Sequence, residues 1–306
     1  MRMLLQAFLA AATALPGALP TNLLAPIPGG ETLAIVSDPA DRMTLAAEVN
    51  GRGPYRFLID TGADHSVVSD RLAEELILAS AGPATVFGIQ GPQPVTTVAL
   101  EALRFGTREK RIPIAPVLLQ SDLGAHGLIG LDALKNESVL FDFKRNQVTI
   151  ARSAREAMVG DPDTITVMGK SRFGELILTD ASVNGTKVYA IVDTGAENTI
   201  ANLALRKLMG RKGPIDDRGA KIVGATGAWL PAEPGMLPHI RLGELQLANM
   251  PVAYCDVATF RKFGVGDKPA ILIGMDVLRG FERVAIDFRR RAVRFRLGDG
   301  AIAQRS

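Results

Sequence analysis

Phe57-Leu-Ile-Asp-Thr-Gly-Ala63 and Ala190-Ile-Val-Asp-Thr-Gly-Ala196 carry one pattern twice, 133 residues apart in a chain of 306 residues. In each copy an apolar run leads into Asp-Thr-Gly and then alanine. An aspartate at the end of an apolar strand is costly to bury unless it is hydrogen-bonded or neutralised. A single Asp-Thr-Gly is commonplace as a turn in which the aspartate bonds its own backbone. Two copies at equivalent places instead predict that the two loops face each other across a pseudo-twofold axis.

The flanking sequence repeats as well. Five further blocks recur in the same order, at offsets between 134 and 145: Val49–Gly51 with Val183–Gly185, Phe87–Gly91 with Val223–Gly227, Leu103–Gly106 with Ile240–Gly243, Leu128–Leu134 with Leu272–Leu278, and Asp142–Arg145 with Asp287–Arg290. Such a long period excludes a solenoid and predicts two lobes from a duplicated domain. We place the lobes at residues 31–154 and 163–300. The join falls between Ala154 and Thr164, where Gly160-Asp-Pro-Asp163 breaks regular structure.

Within each copy the sequence predicts β structure. The expected strands are short, rich in β-branched or aromatic residues and bounded by Gly, Pro or Asn: Met43–Val49, Tyr55–Ile59, Val95–Leu100, Val139–Phe143 and Gln147–Ile150. The expected helices have one or two turns: Arg71–Leu76, Leu203–Met209, Leu131–Leu134 and Met275–Leu278. The chain is therefore predicted to be all-β with a few short helices.

Residues 1–18 read as a signal peptide or an N-terminal anchor. A single early arginine, a short apolar stretch and the small residues Ala12-Thr-Ala14 fit an exported precursor, which predicts a periplasmic or secreted protein. The single cysteine, Cys255, allows no intrachain disulfide, and with three scattered histidines it excludes a Cys/His zinc cluster. We expect Cys255 to be a packed structural thiol. The net charge of +3 decides little about partners.

The duplicated motif resembles the aspartic peptidases of the pepsin and retropepsin group. The similarity consists of apolar-apolar-Asp-Thr-Gly-Ala, Ser66 or Thr199 six residues after the aspartate, and an apolar-apolar-Gly block before a short helix. It covers residues 43–150 and 177–296. The resemblance implies two retropepsin-like closed β-barrel lobes related by pseudo-twofold symmetry, which is the acid-protease fold. It also implies an aspartic endopeptidase that needs no cofactor, metal or covalent intermediate.

The resemblance implies roles for the residues of each motif. Asp60 and Asp193 would form the catalytic dyad and share one proton, because two adjacent carboxylates cannot both ionise. Thr61 and Thr194 would hold the two dyad loops together through crossed hydroxyl-to-backbone bonds. Gly62 and Gly195 would let the substrate backbone pass close to the dyad. Leu128–Gly130 and Leu272–Gly274 would pack behind the dyad loops as structural support. Ala63 and Ala196 offer no hydroxyl to an ionised dyad, so we expect an optimum at about pH 5–7.

Two Gly-rich segments occupy the place of flap hairpins in this family. They are Gly88, Ile89, Gln90 and Gly91 in the first copy, and Gly224, Ala225, Thr226 and Gly227 in the second. Either one flap or two could cover the substrate, and ordinary hairpin turns are the alternative interpretation. Trp229, just after the second segment, either lines a subsite or packs in the core.

The predicted partner is a polypeptide substrate bound in an extended form, and the chain is expected to act as a monomer. Membrane attachment is expected only through an uncleaved N-terminal segment. The run Arg289-Arg-Arg291 with Arg294 and Arg296 is interpreted as a strand with a solvated basic face rather than a nucleic-acid site. Two alternatives remain: a non-catalytic peptide-binding or scaffold module on the same fold, and an active site formed between lobes of different chains.

Overall fold

The chain is described here from a computed structural model, in residues 30–37, 42–134, 137–152, 158, 163–172, 175–211, 213, 215–216, 219–298 and 303–305. The predicted leader, residues 1–18, lies outside the described residues, as does most of the predicted join between the lobes. Among the described helices, none combines the length and apolar character that crossing a membrane requires.

The first copy forms eleven strands and three short helices among its described residues. They are β1 (Glu31–Ala34), β2 (Val36–Ser37), β3 (Met43–Val49), β4 (Arg52–Ile59), β5 (Val67–Ser69), α1 (Asp70–Glu75), β6 (Ser80–Gly88), β7 (Gly91–Phe105), β8 (Arg108–Leu118), α2 (Gln120–Leu123), β9 (Gly127–Ile129), α3 (Leu131–Leu134), β10 (Ser138–Asp142) and β11 (Gln147–Ala151).

The second copy repeats this plan in its described part. Its elements are β12 (Thr164–Arg172), β13 (Glu175–Val183), β14 (Thr186–Val192), β15 (Ile200–Ala201), α4 (Leu203–Leu208), β16 (Ala220–Val223), β17 (Trp229–Leu242), β18 (Leu245–Tyr254), α5 (Ala258–Lys262), β19 (Ala270–Ile273), α6 (Met275–Leu278), β20 (Arg283–Asp287), β21 (Ala292–Arg296) and β22 (Ala303–Arg305).

The two lobes have the same strand order. The first runs β3-β4-β9-β5-β8-β7-β6, and pairing of β3 with β7 closes it into a barrel. The second runs β13-β14-β19-β15-β18-β17-β16, and β13 pairs with β17. Both are all-β barrels with short helices, so the predicted fold class and the duplication are confirmed. In each lobe the strand that leads into Asp-Thr-Gly pairs in parallel with the Leu-Ile-Gly strand.

A shared sheet, β1-β11-β10-β20-β21-β12, joins the two lobes. At its centre β10 pairs antiparallel with β20, and Leu140 lies opposite Ala285. These two residues are also equivalent positions of the two copies, so the pseudo-twofold axis passes between them. The strands are buried along their whole length. The last strands of each copy therefore build the joint between the barrels.

Charged residues are buried in this shared sheet. Asp142 lies opposite Arg283 in the ladder, and the two side chains form a 2.9 Å ion pair with only 3% of the Arg283 side chain exposed. Arg283 also contacts Glu282 at 3.1 Å. At the symmetry-related place Asp287 lies opposite Ser138 and instead contacts Arg294 at 3.7 Å. A hydrophobic ladder thus carries an asymmetric set of ion pairs.

Most predicted elements are confirmed, and one interpretation is wrong. Strand β3 and the last helix of each copy match their predicted bounds, whereas α2 and α5 were not predicted. Two residues of the basic run, Arg294 and Arg296, lie on strand β21, whereas Arg289–Arg291 precede the strand and are exposed. The face of β21 that carries Arg294 is not solvated. Arg294 is only 7% exposed, because the strand lies inside the shared sheet, where Asp287 compensates its charge. The sequence pattern could not reveal a carboxylate from the neighbouring strand.

Candidate active site

Each Asp-Thr-Gly loop begins where a buried strand ends. Asp60 follows β4 and Asp193 follows β14, and their backbone N–H groups donate to the carbonyl oxygens of Ile129 and Ile273, at 3.1 and 3.0 Å. The apolar run of each motif thus forms a core strand, and its parallel partner β9 or β19 fixes the point at which the aspartate leaves the sheet. The duplicated architecture delivers both aspartates to one place between the lobes.

The two carboxylates face each other across the pseudo-twofold axis. A Cβ atom added to Gly62 would lie 2.5 Å from Oδ1 of Asp193, and one added to Gly195 would overlap the carboxylate of Asp60. Within its own loop, Asp60 Oδ1 accepts from the Gly62 N–H at 2.8 Å, and Asp193 Oδ1 accepts from the Gly195 N–H at 2.9 Å. Each glycine therefore orients the carboxylate of its own loop and leaves room for that of the other.

Thr61 and Thr194 exchange hydrogen bonds between the lobes. The Thr61 N–H donates to Oγ1 of Thr194, and the Thr194 N–H donates to Oγ1 of Thr61, both at 3.1 Å. The Thr194 hydroxyl also donates to the Ile59 carbonyl at 2.8 Å, and that of Thr61 to the Val192 carbonyl at 3.4 Å. Both threonines are buried. These crossed bonds fix the spacing of the two dyad loops.

The environment raises the pKa of both aspartates. Burial is the largest cause at Asp60, opposed by the Gly62 N–H and by the positive charge of Arg42. At Asp193, burial and the negative charge of Asp60 raise the pKa to about 8. The hydrogen bond between the two carboxyl groups lowers the pKa of Asp60 and raises that of Asp193. The pair therefore holds one proton over a wide pH range.

A second pair of aspartates, which the sequence reasoning missed, supports the loops from behind. Oδ1 of Asp132 accepts from the hydroxyl of Ser66 at 2.7 Å, and the Gly130 N–H donates to that hydroxyl at 3.1 Å. In the second lobe Asp276 takes the place of Asp132: it accepts from the Thr199 hydroxyl at 2.6 Å, and the Gly274 N–H donates to that hydroxyl at 3.0 Å. The repeated pattern Leu-Ile-Gly-x-Asp carried this signal in both copies.

The Leu-Ile-Gly segments lie directly behind the dyad loops. The Leu131 N–H donates to the Ala63 carbonyl and the Met275 N–H to the Ala196 carbonyl, each at 2.9 Å. A Cβ atom on Gly130 would lie 2.5 Å from the carbonyl carbon of His65. Glycine is therefore required there because the dyad loop packs against its backbone.

Both Gly-rich segments form hairpin tips. In the first, Gly88 ends β6, Gly91 begins β7, and Ile89 and Gln90 make the two-residue turn. In the second, Gly224, Ala225, Thr226 and Gly227 connect β16 to β17, and the Gly227 N–H donates to the Gly224 carbonyl at 3.0 Å. We call these hairpins flap 1 and flap 2.

The two flap tips meet. A Cβ atom on Gly88 would lie 2.9 Å from Oγ1 of Thr226, and one on Gly224 would lie 3.0 Å from the side chain of Ile89. Nε2 of Gln90 donates to the Trp229 carbonyl at 2.7 Å. The eight residues predicted as flap residues therefore form two hairpin tips that contact each other.

Trp229 is not a core residue. It is 44% exposed on flap 2, opposite Val223 in the ladder, and Nζ of Lys221 lies 4.0 Å from the centre of its ring. Phe87, on flap 1, is 57% exposed. Each flap thus carries an exposed aromatic side chain near its tip.

The remaining chemically notable groups lie apart from the dyad. Cys255 is buried, and burial raises the pKa of its thiol to about 11, as expected of a structural residue. His65 is largely exposed beside Asp132, at 3.7 Å. Within the described ranges, no group of three or more His, Cys, Asp or Glu side chains is arranged to hold a metal ion.

Comparison with known protein families identifies a family that matches both copies. The family described as "Aspartyl protease" matches residues 45–133 and again residues 179–277, which together make up more than half of the chain. The two matched regions contain the two Asp-Thr-Gly loops and the two Leu-Ile-Gly segments. No curated protein matches the chain.

Proposed function

This chain belongs to the aspartyl protease family, and from that premise we propose that it is an aspartic endopeptidase with Asp60 and Asp193 as its catalytic dyad. One observation carries the proposal. The two carboxyl groups, one from each lobe, are hydrogen-bonded to each other, and each lies against the glycine of the other loop. The crossed bonds of Thr61 and Thr194 hold the two loops together. A binding module has no use for two buried aspartates whose mutual repulsion must be neutralised.

The proposed mechanism uses the unequal pKa values of the dyad. Asp60, the ionised partner, takes a proton from a water molecule between the carboxyl groups. The resulting nucleophile attacks the carbonyl carbon of the scissile peptide, while Asp193 donates a hydrogen bond to the developing oxyanion. When the tetrahedral intermediate collapses, the proton held by Asp60 passes to the leaving nitrogen. Water is consumed and the two peptide fragments are released.

The substrate is proposed to be an extended polypeptide. The flaps are β-hairpins whose tips meet. In this proposal they cover the dyad, so that a peptide strand between them and the dyad can pair with backbone groups on both sides.

The proposed dyad also sets the pH range of activity. Catalysis needs Asp60 ionised and Asp193 protonated, so activity falls on the alkaline side as Asp193 loses its proton, at about pH 8. This extends the expectation from Ala63 and Ala196 of an optimum in the range of about pH 5–7. A rate that still rises as the pH falls to about 3 would contradict this assignment.

The test is proteolysis of a diverse peptide mixture between pH 3 and pH 8. Wild type is compared with Asp60→Asn and Asp193→Asn, and with Asp180→Asn, at an exposed ion pair, as a control. We expect each dyad variant to lose at least about 1,000-fold in rate, because the two groups act as one unit, and the control to keep full activity. Cleavage that survives in either dyad variant would refute the proposal. Absence of cleavage by a folded wild type would favour the binding-module alternative.

We also propose that the protein is exported, with residues 1–18 as the signal peptide or anchor. The test is fractionation of cells that produce the full chain, with N-terminal sequencing of the mature product. Recovery in the cytoplasm with an intact N-terminus would overturn this proposal.

A further inference from the structure

We infer that α5 of the second lobe positions two parts of the first lobe at once. It binds the tip of flap 1, a contact that we call the catch, and it holds the Asp60 loop in place. This inference rests on the proposed function and adds positioning residues to it. The groups responsible are the backbone N–H of Ala258 and the side chain of Lys262, at the two ends of this five-residue helix.

The catch is a contact across the cleft. The Ala258 N–H donates to the carbonyl oxygen of Ile89, at the tip of flap 1, over 2.7 Å. The Ile89 side chain packs against the buried apolar cluster of the second lobe, which includes Val257, Phe260 and Phe263. The tip of flap 1 is thus bound to the opposite lobe by both a hydrogen bond and apolar packing.

The hold on the dyad loop comes from the other end of the helix. Nζ of Lys262 lies 2.8 Å from Oδ2 of Asp64, the second residue after Gly62. The Lys262 side chain is only 18% exposed. The residues just before Asp64 form the Asp60 loop, so a shift of α5 would move that loop directly.

The equivalent helix of the first lobe is bonded differently. In α2 the first N–H, that of Gln120, donates to Oδ1 of Asp70 in its own lobe, at 2.8 Å. Both helices lack a side-chain cap at the preceding residue. The first lobe therefore caps its own helix, whereas the second lobe leaves the first N–H of α5 to the carbonyl of flap 1. Each flap tip lies near the short helix of the opposite lobe, but among the described residues the first N–H of the helix bonds the flap only at α5.

Flap 2 has a second anchor in its own lobe. Glu233, on strand β17, forms ion pairs with Arg206 of α4 and with Arg211, and Arg206 is 7% exposed. These contacts hold the base of flap 2 on the body of the second lobe. The tip of flap 2 also lies against the first lobe, where a Cβ atom on Gly227 would overlap the carboxylate of Asp122 on α2. The tip of flap 1 is bound to α5 by a backbone hydrogen bond, so loss of the Ala258 N–H acts on flap 1.

Proline at position 258 tests the catch. Ala258 is the first residue of α5, where proline is tolerated, and the extended backbone of Val257 suits a residue before proline. Ala258→Pro removes the N–H without breaking the helix. Loss of one net hydrogen bond from the closed state should raise KM about fivefold with kcat little changed. Leu203→Pro places the same ring at the first position of α4 and is the matched control, expected to keep the wild-type KM.

Lys262 tests the coupling. Lys262→Met should lower kcat about tenfold through a displaced dyad loop, and Lys262→Arg should restore most of it, since a misplaced catalytic group is costly. Trp229 is the only tryptophan, and its backbone carbonyl is bonded to flap 1 through Gln90. Acrylamide quenching of its fluorescence therefore reports flap contact without any substrate. If α5 couples the two sites, Lys262→Met, which touches neither flap tip, should raise this quenching as Ala258→Pro does.

The outcomes separate the inference from the proposed function. Unchanged quenching and unchanged KM in Ala258→Pro, with an intact thermal transition, would overturn the catch. Wild-type quenching in Lys262→Met, with rate effects that multiply independently in the double variant, would overturn the coupling. Raised quenching in both variants of a chain that cleaves no peptide would support α5 as the positioning element while refuting the endopeptidase.

Discussion

At the scale of single residues, Asp60 and Asp193 lie in nearly identical sequences, but different charges act on their carboxyl groups in the folded chain. The difference comes from surroundings that belong to neither motif. The positive charge of Arg42 favours the ionised form of Asp60, whereas the charge of Asp60 itself disfavours ionisation of Asp193. The repeated motif could predict that the two carboxylates meet. It could not predict that a positive charge acts on Asp60, because Arg42 reaches the site only through the fold.

The raised pKa of Asp193 makes the stability of the protein depend on pH. An aspartate whose pKa is higher in the folded than in the unfolded chain opposes folding wherever the unfolded chain ionises it. The stability present below about pH 4 is therefore lost progressively as the pH rises through about 8, the folded-state pKa. Asp193→Asn cannot ionise, so its melting temperature should exceed that of wild type by a margin that widens from pH 4 to pH 8.

The measurement is thermal unfolding by circular dichroism across that pH range. Asp180→Asn, at an exposed ion pair, is the control for loss of a surface charge. A constant difference between Asp193→Asn and wild type at every pH would contradict the raised pKa of Asp193.

At the scale of elements, the supports behind the dyad are short helices joined to loops by hydroxyl groups. The Thr199 hydroxyl donates to Asp276 on α6 and accepts from the N–H of Gly274. Thr199→Val keeps the shape but leaves the Gly274 N–H without its acceptor and removes one of the hydrogen bonds to the Asp276 carboxylate, which the N–H groups of Thr199 and Val277 still reach. We expect it to destabilise the fold by about 1–3 kcal/mol, whereas Thr199→Ser keeps the hydroxyl and should cost less. Denaturant unfolding of both variants measures the difference; equal losses would show that packing, and not the hydroxyl, matters here.

The shared sheet provides a second prediction at this scale. Arg283 is almost fully buried against Asp142, whereas Arg145, the other partner of Asp142, is 39% exposed. Arg283→Met removes the buried positive charge that pairs with the Asp142 carboxylate and should destabilise the protein by about 3 kcal/mol or more. Arg145→Met removes an exposed partner and should cost less than about 1 kcal/mol. Chemical denaturation compares the two, and similar losses would contradict the argument from burial.

The elements also show what the sequence could and could not predict. The alternation and boundaries of β3, and the short helices after Leu-Ile-Gly, follow from local patterns, and the structure has them at the predicted residues. The pairing of β10 with β20 does not follow from any local pattern. Both strands are buried on every side chain and lie 145 residues apart, so neither periodicity nor turn chemistry specifies the partner. The burial of Arg294 was misjudged for the same reason.

At the scale of the whole molecule, both halves of the dyad and the shared sheet come from one chain. A site completed within one chain does not depend on protein concentration. We expect the proposed peptidase activity per mole to stay constant on serial dilution into the nanomolar range. Loss of specific activity on dilution, restored on concentration, would instead indicate a site completed by a second chain. Sedimentation of the same samples gives the oligomeric state directly.

Ser138 and Arg283 occupy equivalent positions in the two halves, yet only Arg283 forms an ion pair with the aspartate opposite it. In an assembly of two identical chains every substitution would appear on both sides of the axis, and such a difference could not arise. A single gene that encodes both halves removes that restriction, so each half can specialise by its own mutations. The one-sided catch on α5 belongs to the same class of difference. In this chain the dyad loops of the two halves have remained symmetric after duplication, whereas other parts of the two halves have come to differ.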